Sequence, residues 1–372
     1  MNRSSLPPSP FGADLWETLR TTEKPIVIYG MGNGADKLIA RLEEIGQTVS
    51  DFFASDDFVR GQLFHGKRVL RFAEIKEKYA DFVILVSFGS SIPSVMDAIF
   101  SLAEQYEVYI PDMPLAADAY FTADFYEKNY EKCLAVYDIL ADDLSKDVFA
   151  NLIRYKLTGK PSYLRAAVAW EDTRTLLGFD HMRCAVDVGA YRGDTLKEML
   201  AYAPALTTVF ALEPDVKNFA KLATFAQTVE EKDIRPIHAA AWSENGTLSF
   251  SASGNRNASL GGEKDKIAGT ASYKHKEILV KTVKIDDILE SARVDYIKYD
   301  TEGAELAALT GSQETIRSQA PALRISVYHR SEDIFALPLW LFSFMKTRYR
   351  YYLRRTPAIP AWECDLIAIE NK

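Results

Sequence analysis

The stretch Val186-Asp187-Val188-Gly189-Ala190-Tyr191-Arg192-Gly193-Asp194-Thr195 constrains the fold most sharply. An apolar run leads straight into a loop with two glycines, and a helix-forming segment follows from about Thr195. A strand that feeds a tight turn and then a helix is the opening of a parallel α/β unit. Glycine at 189 and 193 lets the backbone turn sharply and approach a ligand with no Cβ in the way. The same grammar occurs earlier, where Pro25-Ile26-Val27-Ile28-Tyr29-Gly30 meets the turn Met31-Gly32-Asn33-Gly34. Two such starts in 372 residues, more than one ordinary core holds, predict two α/β units.

The rest of the chain fits that division. After the first turn come an amphipathic helix from about Ala35 to Ile45 and a strand from Thr48 to Phe53. The apolar run Phe82 to Val86, a helix near Ile92 to Glu104 and the strand Glu107 to Ile110 complete a doubly wound unit over residues 1–115. Between 116 and 180, Tyr126, Tyr130, Leu134 and Tyr137 recur at helical spacing, which predicts a helical connector. From 181 to 372 the alternation resumes, with strands at Cys184–Val188, Thr207–Leu212, Ile234–Ala240, Val294–Tyr299, Leu323–Tyr328, Arg350–Arg354 and Leu366–Ile369. The fold class read here is α/β: two Rossmann-like domains, the second a seven-stranded sheet closed by an antiparallel hairpin.

The chemistry gathers in the second unit. Its second strand ends Phe210-Ala211-Leu212-Glu213-Pro214-Asp215, which puts Glu213 26 residues beyond Asp187. An acid there can accept hydrogen bonds from both hydroxyls of a ribose. As a helix N-terminal acid, Glu213 would instead serve the macrodipole. The loop reads D-x-G-x-x-x-G rather than the G-x-G-x-x-G of dinucleotide sites, so it need not cradle a pyrophosphate. Nearby carboxylates suit the cationic sulfonium of S-adenosylmethionine, and the loop backbone could receive its methionine portion.

Further segments carry a family likeness. They are Ile285-Asp286-Asp287-Ile288-Leu289, Ser326-Val327-Tyr328-His329 and above all Ile297-Lys298-Tyr299-Asp300-Thr301-Glu302-Gly303-Ala304-Glu305. With the glycine loop and Leu212-Glu213-Pro214, they make roughly the second half of the chain resemble the FkbM family of S-adenosylmethionine-dependent methyltransferases. The resemblance implies a class I methyltransferase sheet and methyl transfer to oxygen, commonly on sugars, polysaccharides or glycosylated metabolites. It implies Asp187, Gly189, Ala190, Tyr191, Gly193, Asp194, Thr195, Glu213, Pro214 and Asp300 at the cofactor; Trp242, at the next strand end, suits either stacking on the adenine or a place in the core. It also implies Asp300 and Glu302 at the transfer site. Asp300 or His329, at strand ends on one rim, could remove the acceptor proton. Asp286, Asp287 and Asp300 or Glu302 could supply oxygen ligands to a divalent metal, though Asp286 and Asp287 equally suit a helix cap, and metal dependence stays open. The polar stretch Ser253 to Ser259 reads as a lid on the acceptor side.

Other readings compete. An NAD-linked oxidoreductase would use the first unit, yet no Tyr-x-x-x-Lys pair follows a strand there. A non-catalytic protein that binds a nucleotide-sugar on the first unit is the other alternative. A formal charge of −8 argues against a nucleic-acid partner. Only Lys346, Arg348, Arg350, Arg354 and Arg355 form a cationic window, either a solvated strand face or a seat for an anionic substrate. Three cysteines without ligand spacing read as reduced thiols, and no leader or membrane span is evident. The expected setting is therefore cytoplasmic, with a small-molecule or saccharide acceptor, no membrane partner, and room for a homo-oligomer.

Overall fold

A computed structural model of the chain describes residues 5–116, 119–252, 276–290 and 292–371. Its first half holds a five-stranded, all-parallel sheet. The strands are β1 (Ile26–Tyr29), β2 (Val49–Ala54), β3 (Leu70–Arg71), β4 (Val83–Val86) and β5 (Glu107–Tyr109), in the order β3-β2-β1-β4-β5. Helices at Asn33–Glu44 and Pro93–Ala103 cover its faces, within a residue or two of their expected bounds. The two-residue β3 carries no sequence signal, because a pair of residues shows no period.

Five helices follow, at Ala123–Lys128, Tyr130–Ile139, Asp143–Thr158, Pro161–Ala166 and Thr173–Leu176. Leu140 and Ala169 bridge to the edge of the second sheet, at Tyr351 and Arg355.

The second sheet contains β6 (Cys184–Val188), β7 (Thr208–Leu212), β8 (Asp233–Ile237), β12 (Tyr296–Tyr299), β13 (Ala322–Ser326), β14 (Tyr349–Arg355) and β15 (Cys364–Glu370). Between them, β9 (Ala240–Ala241), β10 (Gly246–Ala252) and β11 (Lys276–Val283) form a separate three-stranded sheet that the sequence does not announce. The seven strands run β8-β7-β6-β12-β13-β15-β14, all parallel except β15, which pairs antiparallel with both its neighbours. This is the expected seven-stranded sheet closed by an antiparallel hairpin. Pro236 is tolerated in β8 because that strand lies at the edge.

The chain runs outward from β6 to β7 and β8, then returns to β12 on the other side. A crevice therefore opens at the carboxyl ends of β6 and β12, where such sheets hold ligands. One continuous apolar cluster joins the halves: Val27 and Phe53 of the first sheet, Phe149 and Ile153 of the connector, and Val186 and Tyr299 of the second. Burial on both faces explains why β6 and β12 contain no exposed residue.

Candidate active site

The crevice is a cavity of about 360 Å³. Gly189, Ala190, Tyr191, Asp194, Thr195, Glu213, Pro214, Asp300 and Glu302 of the expected set line it. The amides of Gly189 and Ala190 both donate to the Leu212 carbonyl, at 3.0 and 2.9 Å, which ties the glycine loop to β7. Gly189 adopts φ +82°, and a Cβ there would collide with the Asp300 carbonyl oxygen.

Glu213 ends β7 with only 6% of its surface exposed. Its Oε2 accepts from the Tyr191 amide and its Oε1 from the Asp215 amide, each at 2.8 Å. The task of capping the next helix, Val216–Ala226, falls to Asp215, whose Oδ1 accepts from Lys217 and Asn218. Glu213 is thus spared for the cavity. Burial pushes its carboxyl up to about 7, against the pull of the two amides.

Four expected residues do not line the cavity. Asp187 is fully buried below the loop, and neither carboxylate oxygen has a hydrogen-bond partner. Burial raises it to about 6, opposed by the Lys298 ammonium. Gly193 meets the Phe225 ring, where an added Cβ would stand 2.8 Å away, so it serves helix packing. Trp242 is held by its backbone: its amide donates to Val283 at 2.9 Å, and its carbonyl abuts Gly311. Trp242 is not among the residues lining the cavity, whereas Ala239, Ala240 and Ala241 are.

His329, fully buried, has Nδ1 2.9 Å from Glu305 Oε1, an ion-pair distance without hydrogen-bond alignment. Its Nε2 lies 3.6 Å from both Asp300 Oδ1 and Glu302 Oε2. Burial favours the neutral ring, but the three carboxylates outweigh it and push His329 up to about 10. Once protonated, the imidazole has no lone pair to offer an acceptor proton. Asp300 moves the other way. Burial would raise it, yet the Lys298 ammonium 3.1 Å away and His329 hold it down at about 2.

The alternative metal set does not assemble either. Asp286 caps the helix Gln313–Gln319 through the amides of Glu314 and Thr315, and Asp287 accepts from the Asn245 amide group at 2.6 Å. The expected lid at Ser253–Ser259 lies outside the described residues.

Sequence reasoning gave no role to Lys298, Arg324, Tyr328, Glu363 and Asp365, all of which line the cavity. Arg324 binds Asp365 through Nε at 2.7 Å. A charged residue inside the apolar strand Ala-Leu-Arg-Ile-Ser was the available signal.

The basic window is not a patch. Arg354 and Arg355 are buried, and Arg354 binds Asp172 at 2.6 Å and Asp142 at 2.8 Å. Arg348 pairs with Glu370. Among the described residues, no helix is long and apolar enough to cross a membrane.

Residues 187–353 match the family of methyltransferase FkbM domains. Methyltransferase FkbM from Methylobacillus flagellatus KT has a similar crystal structure, with 21% identity, a TM-score of 0.69, and coverage of 97% of this chain and 95% of that one. At that identity the likeness shows the fold. An rRNA methylase from Streptococcus thermophilus matches at 10% identity and a TM-score of 0.35, over 54% of this chain and 95% of its own. Aeropyrum pernix fibrillarin, solved with natively bound S-adenosyl-L-methionine, matches at 10% identity and a TM-score of 0.32, over 51% of this chain and 67% of its own. Scores this low carry no argument. A comparison with curated proteins gives no match.

Proposed function

From the methyltransferase FkbM domain formed by residues 187–353, we propose that the protein transfers a methyl group from S-adenosylmethionine to a hydroxyl of a sugar, polysaccharide or glycosylated metabolite. The observation that carries this reading is Glu213, a buried carboxylate facing the cavity, with both oxygens fixed by the amides of Tyr191 and Asp215. Each oxygen keeps a lone pair for a ribose hydroxyl. The loop 189–191 and the small side chains of Ala239 to Ala241 leave room for the nucleoside on either side. When bound, the sulfonium supplies an electrophilic methyl group.

The residues of the chain position the other reactant. Asp300, kept ionised beside Lys298, accepts a hydrogen bond from the acceptor hydroxyl and aligns its oxygen. Tyr328, 3.4 Å from Asp300, and the pair Arg324–Asp365 give the acceptor end a dense set of donors and acceptors. A polyhydroxylated acceptor suits such a wall better than an apolar one. We further propose that 1–115, 116–180 and 181–372 are the working units, and that the first supports the site rather than holding a nucleotide. Its glycine turn supports this reading, because a Cβ on Gly34 would collide with the Ser87 carbonyl across the crevice.

Calorimetric titration with S-adenosylmethionine, S-adenosylhomocysteine and NAD tests the cofactor. Micromolar binding of the adenosyl ligands, lost in Glu213→Ala, is expected. Binding of NAD alone would overturn the reading.

A further inference from the structure

A second cavity, of about 180 Å³, adjoins the first and shares part of its wall: Glu198, Arg324, Glu363 and Asp365 line both. Trp170, Thr173 and Arg174 bring the end of the connector into its lining. Among the described residues, neither the loop 189–195 nor Glu213 contributes to it, so it extends the acceptor end rather than the nucleoside end. It is smaller than the roughly 300 Å³ at which pockets begin to hold a whole drug-sized ligand, and so takes a single ring.

We infer that this second cavity is a subsite for a neighbouring pyranose ring of the acceptor, stacked on Trp170, so that the methylated sugar is one unit of a longer saccharide. The inference rests on the sugar-acceptor reading above. Trp170 keeps 38% of its surface exposed. A tryptophan left that open in a polar cavity offers a flat apolar face, and one face of a pyranose presents mainly C–H groups. Along the shared wall runs a ladder of paired charges. Asp365 accepts from Arg324 Nε at 2.7 Å, Arg324 Nη1 stands 3.5 Å from Glu198, and Glu198 accepts from Arg174 Nε at 3.2 Å. Such pairs hold hydrogen-bonding groups in place while their charges cancel, which suits a neutral polyol better than an anion.

Two lining groups are left over, one donor and one acceptor. Arg355 is 1% exposed, and its Nη atoms donate to the carbonyls of Leu164, Ala358 and Pro360. Its Nε has no partner among the described residues. A buried donor left open costs stability until something accepts from it. Glu363 adopts φ +57°, a left-handed backbone that a residue with a Cβ holds at a cost, as residues at functional sites do. Among the described residues, no hydrogen bond or ion pair occupies its carboxylate. Hydroxyl groups both accept and donate, so one sugar hydroxyl satisfies Arg355 and another satisfies Glu363.

The test is saturation-transfer NMR on the full chain with maltose, cellobiose and chitobiose, each compared with its own monosaccharide. At least one disaccharide should receive saturation on both rings and bind about three- to tenfold more tightly than its monosaccharide. Trp170→Ala, at an exposed position, should lose that gain and the saturation of one ring, while Trp170→Tyr keeps most of both. Circular dichroism follows the fold, and S-adenosylhomocysteine is titrated calorimetrically in parallel. No gain from the second ring with any probe, or a gain that survives Trp170→Ala, overturns the subsite. So does a loss of S-adenosylhomocysteine affinity in folded Trp170→Ala, which would give the cavity to the methionine tail of the cofactor. Monosaccharide binding with no gain from a second ring sinks the subsite alone. Saccharide binding through Trp170 without S-adenosylhomocysteine binding sinks the cofactor reading alone. S-adenosylhomocysteine binding with no saccharide bound sinks the subsite together with the sugar acceptor.

Discussion

Gly189 and Asp300 are in backbone contact: the Asp300 amide donates to Val188 at 3.0 Å, and any Cβ on Gly189 would enter the Asp300 carbonyl oxygen. The contact joins the glycine loop to the acidic motif of β12 with no side chain between them. Gly189→Ala must therefore bear two costs. A left-handed φ costs about 1–2 kcal/mol for a residue with a Cβ. Forcing an atom into a packed contact costs about 1–3 kcal/mol more. Urea unfolding should show a loss of at least about 2 kcal/mol. An unchanged midpoint would mean that the loop relaxes away from Asp300 without penalty.

Glu213 makes stability and nucleoside binding run oppositely with pH. Its folded value, about 7, lies above its ordinary 4.5, so the folded state holds the proton more tightly. The stability it contributes is fully present below about 4.5 and is lost as pH rises through 7. The loss should reach on the order of 3 kcal/mol, since a tenfold change in proton affinity is worth about 1.4 kcal/mol. Ribose hydroxyls donate best to the ionised carboxylate, so S-adenosylhomocysteine should bind more tightly at pH 8 than at pH 6. Calorimetry in two buffers of different ionisation heat should reveal proton release at pH 6. Affinity that is flat across this range would remove Glu213 from the ribose.

Much of the framework is legible in the amino-acid sequence, for a physical reason. Strands buried on both faces, such as β6 and β12, read as unbroken apolar runs, and their ends are marked where glycine or an acid takes over. Glu213, Asp300 and the loop 189–195 stand out because they sit at such ends. What escapes is set by distant pairing. Ala240–Ala241 is a strand only because Thr282 and Val283 lie beside it, and Leu70–Arg71 only because Phe53 and Ala54 do. Trp242 at a strand end looks like a stacking platform, while the pairing that holds its backbone, with Val283 and against Gly311, is distant in sequence. Composition likewise counts charges without their burial, so Arg354 and Arg355 pass for an open cationic face.

Arg354 shows what that window does instead. It lies on β14, yet its guanidinium binds Asp172 in two places, Asp142, and the Ser145 hydroxyl. These partners belong to the helical connector, so Arg354 fastens the connector to the sheet edge. Arg354→Ala should cost about 2–4 kcal/mol, somewhat below the full penalty for breaking a buried pair because both aspartates are partly exposed. S-adenosylhomocysteine affinity of the folded variant should match the wild type. A variant of normal stability that has lost acceptor affinity would restore the substrate-seat reading.

The turn after the first sheet's β4 packs directly on the segment that leads into β15. Gly89, just beyond β4, lies flat against the Trp362 ring, and a Cβ there would enter the indole. Beside it, Ser90 and Ile359 exchange two backbone hydrogen bonds of 2.9 Å. Trp362 precedes Glu363, which lines the cavity at the end proposed to take the acceptor, and Cys364, which starts β15. Gly89→Val would push a rigid ring, so the displacement passes to Glu363 rather than dissipating in a flexible chain. Gly189 and Glu213, proposed to meet the cofactor, follow β6 and β7, beyond β12 and β13 from this contact. With an acceptor in hand, Gly89→Val should lower kcat/KM for that acceptor about 10- to 100-fold, the usual cost of misplacing a reactant by about 1 Å. S-adenosylhomocysteine affinity should stay within about twofold, because no adenosyl contact moves. A uniform loss of both would trace the effect to stability alone. Unchanged kinetics would show that the first sheet leaves the acceptor end untouched.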